Sequence, residues 1–248
     1  MTRPDRVLYG TGSPNVRKVA LLLEELGLDY RMQHVAVFDA EQFTPEFLAM
    51  NPLGKVPVLT DPEAEEPLFE SNAILIYLAE TYGGDVLPAE GAARREVLRW
   101  LMVQTALVGP MLGQYNHYHL VVAHGTEPYS AARYRNQSET VYRQLDDRLA
   151  TRDGIAGGAY SIADIATWPW ILYLERHNFA PENFPNLMRW RNRIADRPAA
   201  IRMTERVITE YDPRNNRTRR ASSQEALDRL FNRKSDGPEA DFSLITSV

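Results

Sequence analysis

Three consecutive residues near the amino terminus, Ser13-Pro14-Asn15, bring a hydroxyl, a proline and an amide to the start of an amphipathic run. Proline suits the first position of a helix, because the N–H it lacks would have no partner there and its φ is already helical. The hydroxyl ahead of it has two uses. It caps the helix, or it joins the first-turn N–H groups and the amide in receiving an anion. A second stretch of the same kind is Glu70-Ser71, which opens another apolar run. First-turn N–H groups and a serine hydroxyl there make a site suited to a carboxylate.

The elements that must position these residues are legible from pattern. "RVLYG" reads as a strand that breaks at Gly10 and Gly12, and Val16, Val19, Ala20, Leu23 and Leu26 recur at helical spacing up to a terminating Gly27. "YRMQHVAV" reads as a second strand and "AEQFTPEFLAMNPLG" as a loop with a short helix. "KVPVLTDP" is a third strand whose proline belongs at an edge or a strand start. A fourth short strand and a helix follow in "EEPLFESNAILIYLAETYG". This is a small mixed α/β unit, expected over residues 1–84. After a linker at 84–91, residues 92–211 read as helices joined by short loops, with a kink near Gly109-Pro110. Ser161 and Asp164 form a capping-box variant at one helix start, a structural motif. Residues 212–248, with "PRNNRTRRASS", have little to bury and are expected to be an extended or partly ordered tail.

Bulk properties exclude several function classes. The 248 residues suffice for two small domains, and 44% apolar with 25% charged residues is ordinary for a globular chain. No apolar run approaches the roughly 18–20 residues of a membrane span, and "MTRPDRVLYG" has no signal-peptide core, so a cytoplasmic location is expected. The net charge of −5 argues against a nucleic-acid partner. With no cysteine, the chain has no thiolate nucleophile, disulfide or zinc-thiolate site of its own. His117, His119 and His124 cluster in sequence without an acidic partner in a metal pattern, so no metal is expected. Trp100, Trp168, Trp170 and Trp190 read as helix-packing aromatics.

The layout, a thioredoxin-like α/β unit followed by an all-α domain, resembles the cytosolic glutathione transferases. "SPN", "EQFTPEFLAMNPLGKVPVL", "FESNAILIYLAE", "GPMLGQ" and "YSIADIATWPW" occur in order over about residues 6–205 and look most like the nu class and its fungal and bacterial relatives. The resemblance implies a glutathione site. Ser13 and Asn15 match the residues that face the glutathione sulfur, and Gln42 one that contacts the tripeptide backbone. Val56, ahead of a cis Pro57, matches the residue whose backbone pairs with the cysteinyl unit, with Lys55 near the glycyl end. Glu70 and Ser71 match the pair that holds the γ-glutamyl end, and Arg133 an arginine reaching the site from a partner subunit. Dimerisation follows from the family, as a homodimer or a heterodimer. Met111, Gln114, Tyr115 and Tyr118 would line the pocket for a small hydrophobic or disulfide acceptor, with core packing competing at Met111 and Leu112. Gly54 departs from the family pattern, where relatives carry Asn, and so does the wording of 114–119.

The implied chemistry is activation of glutathione as a thiolate. A free thiol has a pKa of about 8.5, and lowering it by about 2 units needs about 2.7 kcal/mol of preferential thiolate stabilisation. A hydroxyl, an amide and a helix end can supply that. Tyr9 is a rival donor, read here as strand core. Three outcomes follow. The first is glutathione-dependent disulfide reduction, with reduced glutathione or its disulfide in the site and no need for a protein cysteine. The second is thiolate attack on a carbon electrophile, by β-aryl ether cleavage or conjugation. The third is a non-catalytic, transferase-like subunit of a regulatory or heterodimeric complex.

Overall fold

A computed structural model describes residues 5–121 and 127–232. The chain forms two compact units, one running to Gly84 and resuming at Arg197, the other spanning Asp85–Asp196.

The first unit is built on a four-stranded sheet of order β2-β1-β3-β4, with β1 at Val7–Gly10, β2 at Arg31–His34, β3 at Val58–Thr60 and β4 at Leu68–Phe69. Helix α1 (Pro14–Glu25) is the crossover that makes β1 and β2 parallel, and β3 is antiparallel to both β1 and β4. α1 is buried along most of its length, with Val16, Val19, Ala20, Leu21, Leu22 and Leu23 in the core beside Leu8 and Leu59. Gly27 in the left-handed region ends it, as the sequence predicts. α2 (Pro45–Met50) and α3 (Ser71–Tyr82) complete the α/β layer, α3 adding Ile74, Leu75 and Leu78 to the core. β2 and β3 are shorter than the apolar runs suggest. After His34 the chain turns into a 3-10 turn at Val37–Asp39, and Pro57 precedes β3, because a residue without an N–H cannot join the ladder.

The second unit holds α4 (Gly91–Val103), α5 (Gly109–Leu120), α6 (Pro128–Leu149), α7 (Ile162–Ile171) and α8 (Pro185–Ala195). The kink expected near Gly109-Pro110 is a π-helical turn at Gln104–Val108, which accommodates a proline with no N–H to donate backwards. The capping box is present. Ser161 Oγ accepts from the Ala163 N–H, while the Asp164 carboxylate accepts from the Ser161 N–H and hydroxyl, the Ile155 N–H and Trp190 Nε1. Burial pushes the Asp164 carboxyl above its ordinary range, and these donors oppose the rise. Trp168 and Trp190 are core side chains, as expected.

The expected division of the C-terminal half needs correction. Residues 197–211 belong with the α/β unit and not with a helical domain 92–211, because α9 (Pro198–Arg206) packs on α1. Arg197 pairs with Glu25, and Arg202 and Arg206 pair with Glu24. Over its described part, the tail expected to be extended or partly ordered is ordered and helical. α10 (Asp212–Ala221) and α11 (Gln224–Phe231) are helices. Ser223 caps α11 through the Ala226 N–H, and Leu227 buries its apolar face. Low apolar content hid this, since α10 buries no whole residue and is held by polar contacts. Residues 233–248 of the expected tail, and His124, lie outside the described residues.

Asp164→Ala leaves the Ile155 N–H and Trp190 Nε1 without their carboxylate in a buried site, so a loss of about 3–5 kcal/mol is expected from the denaturation midpoint.

Candidate active site

The sheet register gathers the sequence-predicted residues. β1 and β2 end together, with Gly10 opposite His34. Because β3 is antiparallel to β1 and β4 to β3, Val58 at the start of β3 lies beside Tyr9 and opposite Phe69 at the end of β4. The segments carrying Ser13, Gln42, Val56 and Glu70 therefore all join the sheet at one end.

Ser13 occupies the N-cap position of α1 with extended backbone, and its side chain does not cap. Its carbonyl takes the helical bonds from the Val16 and Arg17 N–H groups, while its Oγ is buried without a hydrogen-bond partner. Burying a hydroxyl unsatisfied costs free energy that a ligand acceptor recovers. Asn15 is half-buried in the first turn, which has no acidic residue to offset the positive helix end. Tyr9 packs against the cluster of Val35, Phe47 and Val58, in keeping with the strand-core reading.

Gln42 sits in a 3-10 turn, Glu41–Phe43, entered through Ala40 in the left-handed region. It is only 2% exposed, yet neither its Nε2 nor its Oε1 has a partner. The Val56–Pro57 bond is cis, as the resemblance implies. Asn51 Nδ2 donates to the Lys55 carbonyl at 2.7 Å, Lys55 itself is exposed, and Val56 lies outside the β3 ladder, packed on the Val35 cluster. Gly54 has a φ of 58°, and a Cβ there would come within 2.8 Å of the Phe43 ring. Here glycine lets the Lys55–Pro57 loop lie directly against the Gln42 turn.

Glu70 is exposed and opens α3 with a φ of 68°, a strained conformation for a residue with a side chain. Ser71 follows as the first helical residue. Sequence reasoning missed the group beneath them. Lys18, on α1, is 2% exposed, and its Nζ donates to Ser71 Oγ and to Asn72 Oδ1, both at 3.2 Å. Burial pulls this amine down to about 7, with Glu70 opposing the fall. At helical spacing Lys18 lies away from the face of Val16, Val19, Ala20 and Leu23, beside Glu25, so apolar spacing carried no signal for its burial.

The remaining predicted residues lie in the second unit. Arg133 is exposed on α6, one residue before Tyr134, whose ring stacks on Tyr118 at 5.4 Å. Met111 is half-buried and Gln114 exposed. Tyr115 is core and so does not fit the expected acceptor lining. Its hydroxyl donates to the His177 carbonyl and its ring packs among His119, His177 and Phe179. Leu112 is fully buried, as core packing would have it. Among the described residues no group of histidines and carboxylates is arranged to hold a metal, and no helix is long and apolar enough to cross a membrane.

Residues 12–81 match the family model of the glutathione S-transferase N-terminal domain, and residues 110–198 that of the C-terminal domain. The chain is 42% identical over 197 residues to the disulfide-bond oxidoreductase YfcG of Escherichia coli, an alignment covering 77% of this chain and 91% of that protein. A Pseudomonas putida glutathione transferase, crystallised with one glutathione disulfide per subunit, is 35% identical with a TM-score of 0.76, over 82% of this chain and 92% of that one. A Pseudomonas fluorescens family member with two glutathiones bound is 37% identical with a TM-score of 0.74, over 83% and 95%. A thioredoxin-like α/β unit, a helical unit and both family models thus agree, and this chain belongs to the glutathione S-transferase family.

Proposed function

We propose that this protein is a glutathione-dependent disulfide-bond reductase in which α1 activates the glutathione thiol. The observation that carries the reading is the pair of buried, unpartnered polar side chains, Ser13 Oγ and the Gln42 amide, at one end of the sheet. The likeness to a disulfide-bond oxidoreductase, and to transferases holding two glutathiones or glutathione disulfide, supports it.

The γ-glutamyl carboxylate rests on the α3 N-terminus at Glu70 and Ser71. The Val56 backbone pairs with the cysteinyl unit as an added strand, Gln42 satisfies its amide on the tripeptide backbone, and Lys55 lies near the glycyl carboxylate. The sulfur then faces Ser13 and Asn15. The serine hydroxyl donates to it, and the amide and first-turn N–H groups add to the preference for the anion. The thiolate attacks one sulfur of an acceptor disulfide, forming a mixed disulfide and releasing the other sulfur as a thiol after protonation. A second glutathione thiolate attacks the glutathione sulfur of the mixed disulfide and releases the second thiol. Two glutathiones are oxidised to glutathione disulfide and one acceptor disulfide is reduced to two thiols, so no protein cysteine is required. In a dimer, Arg133 of the second copy completes the site. We further propose that Lys18 supports the γ-glutamyl end through Ser71 and Asn72.

Calorimetric titration is expected to show binding of glutathione disulfide, or of two reduced glutathiones per subunit. One reduced glutathione alone would redirect the chemistry to a carbon electrophile, and no binding would sink both. Ser13→Ala and Asn15→Ala are each expected to raise the pKa of the bound thiol by about 1 unit and lower kcat about threefold at neutral pH, read from ultraviolet thiolate absorbance and disulfide turnover. An unchanged pKa in both variants would refute the thiolate role.

Lys18 is charged below about pH 7, and a bound carboxylate favours that charged form. Affinity for S-methylglutathione, which has no thiol to titrate, should therefore fall as pH rises from about 7 to about 9. Lys18→Met should bind more weakly at pH 7 and lose most of this dependence. An equal slope in both proteins would exclude Lys18.

A further inference from the structure

The N-terminal family model ends at 81 and the C-terminal model at 198, so neither covers the last two described helices. Those helices meet both predicted ends of the thiol site. At the first, Tyr211 enters the core and its hydroxyl donates to the Leu8 carbonyl at 2.8 Å, which anchors the start of α10 to β1. The Asp212 carboxylate lies against Gly12, so closely that a Cβ on Gly12 would clash with its Oδ1. Asp212 also faces the Arg17 guanidinium at 3.9 Å, and Arg17 Nε donates to the Gly12 carbonyl at 3.1 Å. The Thr11 hydroxyl donates to Asn215 Oδ1 at 2.7 Å. Thr11 and Gly12 form the turn that presents Ser13, so three side chains from outside the turn hold it.

At the second end, α10 and α11 both pack against the 3-10 turn Val37–Asp39, which leads into the Gln42 turn. The Arg229 guanidinium lies over the Phe43 ring, 4.7 Å from its centre. The charges of Arg214 and Arg217 act on the buried His34, at the end of β2. Burial chiefly holds that imidazole below its ordinary range; Glu41 and Asp39 oppose this, and the two arginines add to it.

We propose that the C-terminal arm, residues 212–231, is a positioning element of the thiol site: Asn215 and Asp212 fix the Thr11–Ser13 turn, and Arg229 fixes the turn that carries Gln42. The inference rests on the proposed thiolate role of Ser13 and Asn15. A hydroxyl that is to stabilise a sulfur anion must be held in place before the anion forms, and a turn with a glycine at its centre does not hold itself. The arm provides the hold by hydrogen bond, charge and ring contact, with Asp212, Asn215 and Arg229 acting through their neighbours and touching no reacting atom.

The test uses the full chain. Asn215→Ala is expected to lower kcat for disulfide reduction about twofold and to raise the bound-thiol pKa by about 0.5 unit, with KM for glutathione unchanged. Arg229→Ala should instead raise KM for glutathione about threefold and leave the thiol pKa in place. Thr11→Val combined with Asn215→Ala should be no worse than either alone, since both remove one hydrogen bond. Melting temperatures separate positioning from folding. A fall in kcat that tracks a lower melting temperature with no change in thiol pKa would make the arm merely structural and overturn the proposal. So would an Asn215→Ala enzyme with normal kcat and thiol pKa. If Ser13→Ala and Asn15→Ala also leave the thiol pKa unchanged, the thiolate reading has failed; if they move it and Asn215→Ala does not, only the arm's role has.

Discussion

The arrangement of the α/β unit depends on one helix that is buried along its body and left open at its positive end. α1 is sealed by the sheet, by α3 and by α9, so its apolar stripe pays for its position. Its N-terminus is not closed in the ordinary way. The N-cap serine withholds its hydroxyl from the helix, and the first turn carries no carboxylate. A buried hydroxyl with no partner is costly, and such a group persists where the surrounding core over-determines it. The same helix carries Lys18 one turn further on, where it underlies the start of α3. One rigid element thus links the two sites proposed for the sulfur and for the γ-glutamyl end.

The sheet turns this local feature into a site. With strands of only two to four residues, its strength lies in register and not in length. The mixed parallel and antiparallel order brings three connecting segments to the same end. Each carries a polar group or a special backbone: the open serine, the unsatisfied glutamine, the cis Val56–Pro57 bond, and Glu70 at positive φ. Their conformations suit the different tasks proposed for them. A sulfur anion calls for donors, a peptide for an exposed backbone edge, and a carboxylate for a helix start.

The C-terminal helices show how polar contacts can build structure where apolar ones are few. α9 is tied to α1 by three arginines that meet Glu24 and Glu25, and one of these, Arg206, also covers the Tyr30 ring at 4.0 Å. α10 has no wholly buried residue, and Tyr211 just before it supplies the anchor. Isolated exposed ion pairs contribute little, but pairs that are partly buried and share partners act together.

Sequence by itself determined the family, the α/β-then-helical order, and the local devices that depend only on neighbours in the chain. The Ser161–Asp164 capping box, the Gly27 stop and the proline at the start of α1 are of this kind, since their physics lies within a few residues. The tertiary structure decided what depends on residues far apart. It showed that Ser13 does not spend its hydroxyl on capping, that Tyr115 is core, and that Lys18 lies beneath Ser71. It also returned residues 197–231 to the N-terminal unit. A low apolar content reads as a tail because burial is judged from composition. Asn215 meets Thr11 across more than two hundred residues of chain, and no local pattern records a hydrogen bond between two such polar side chains.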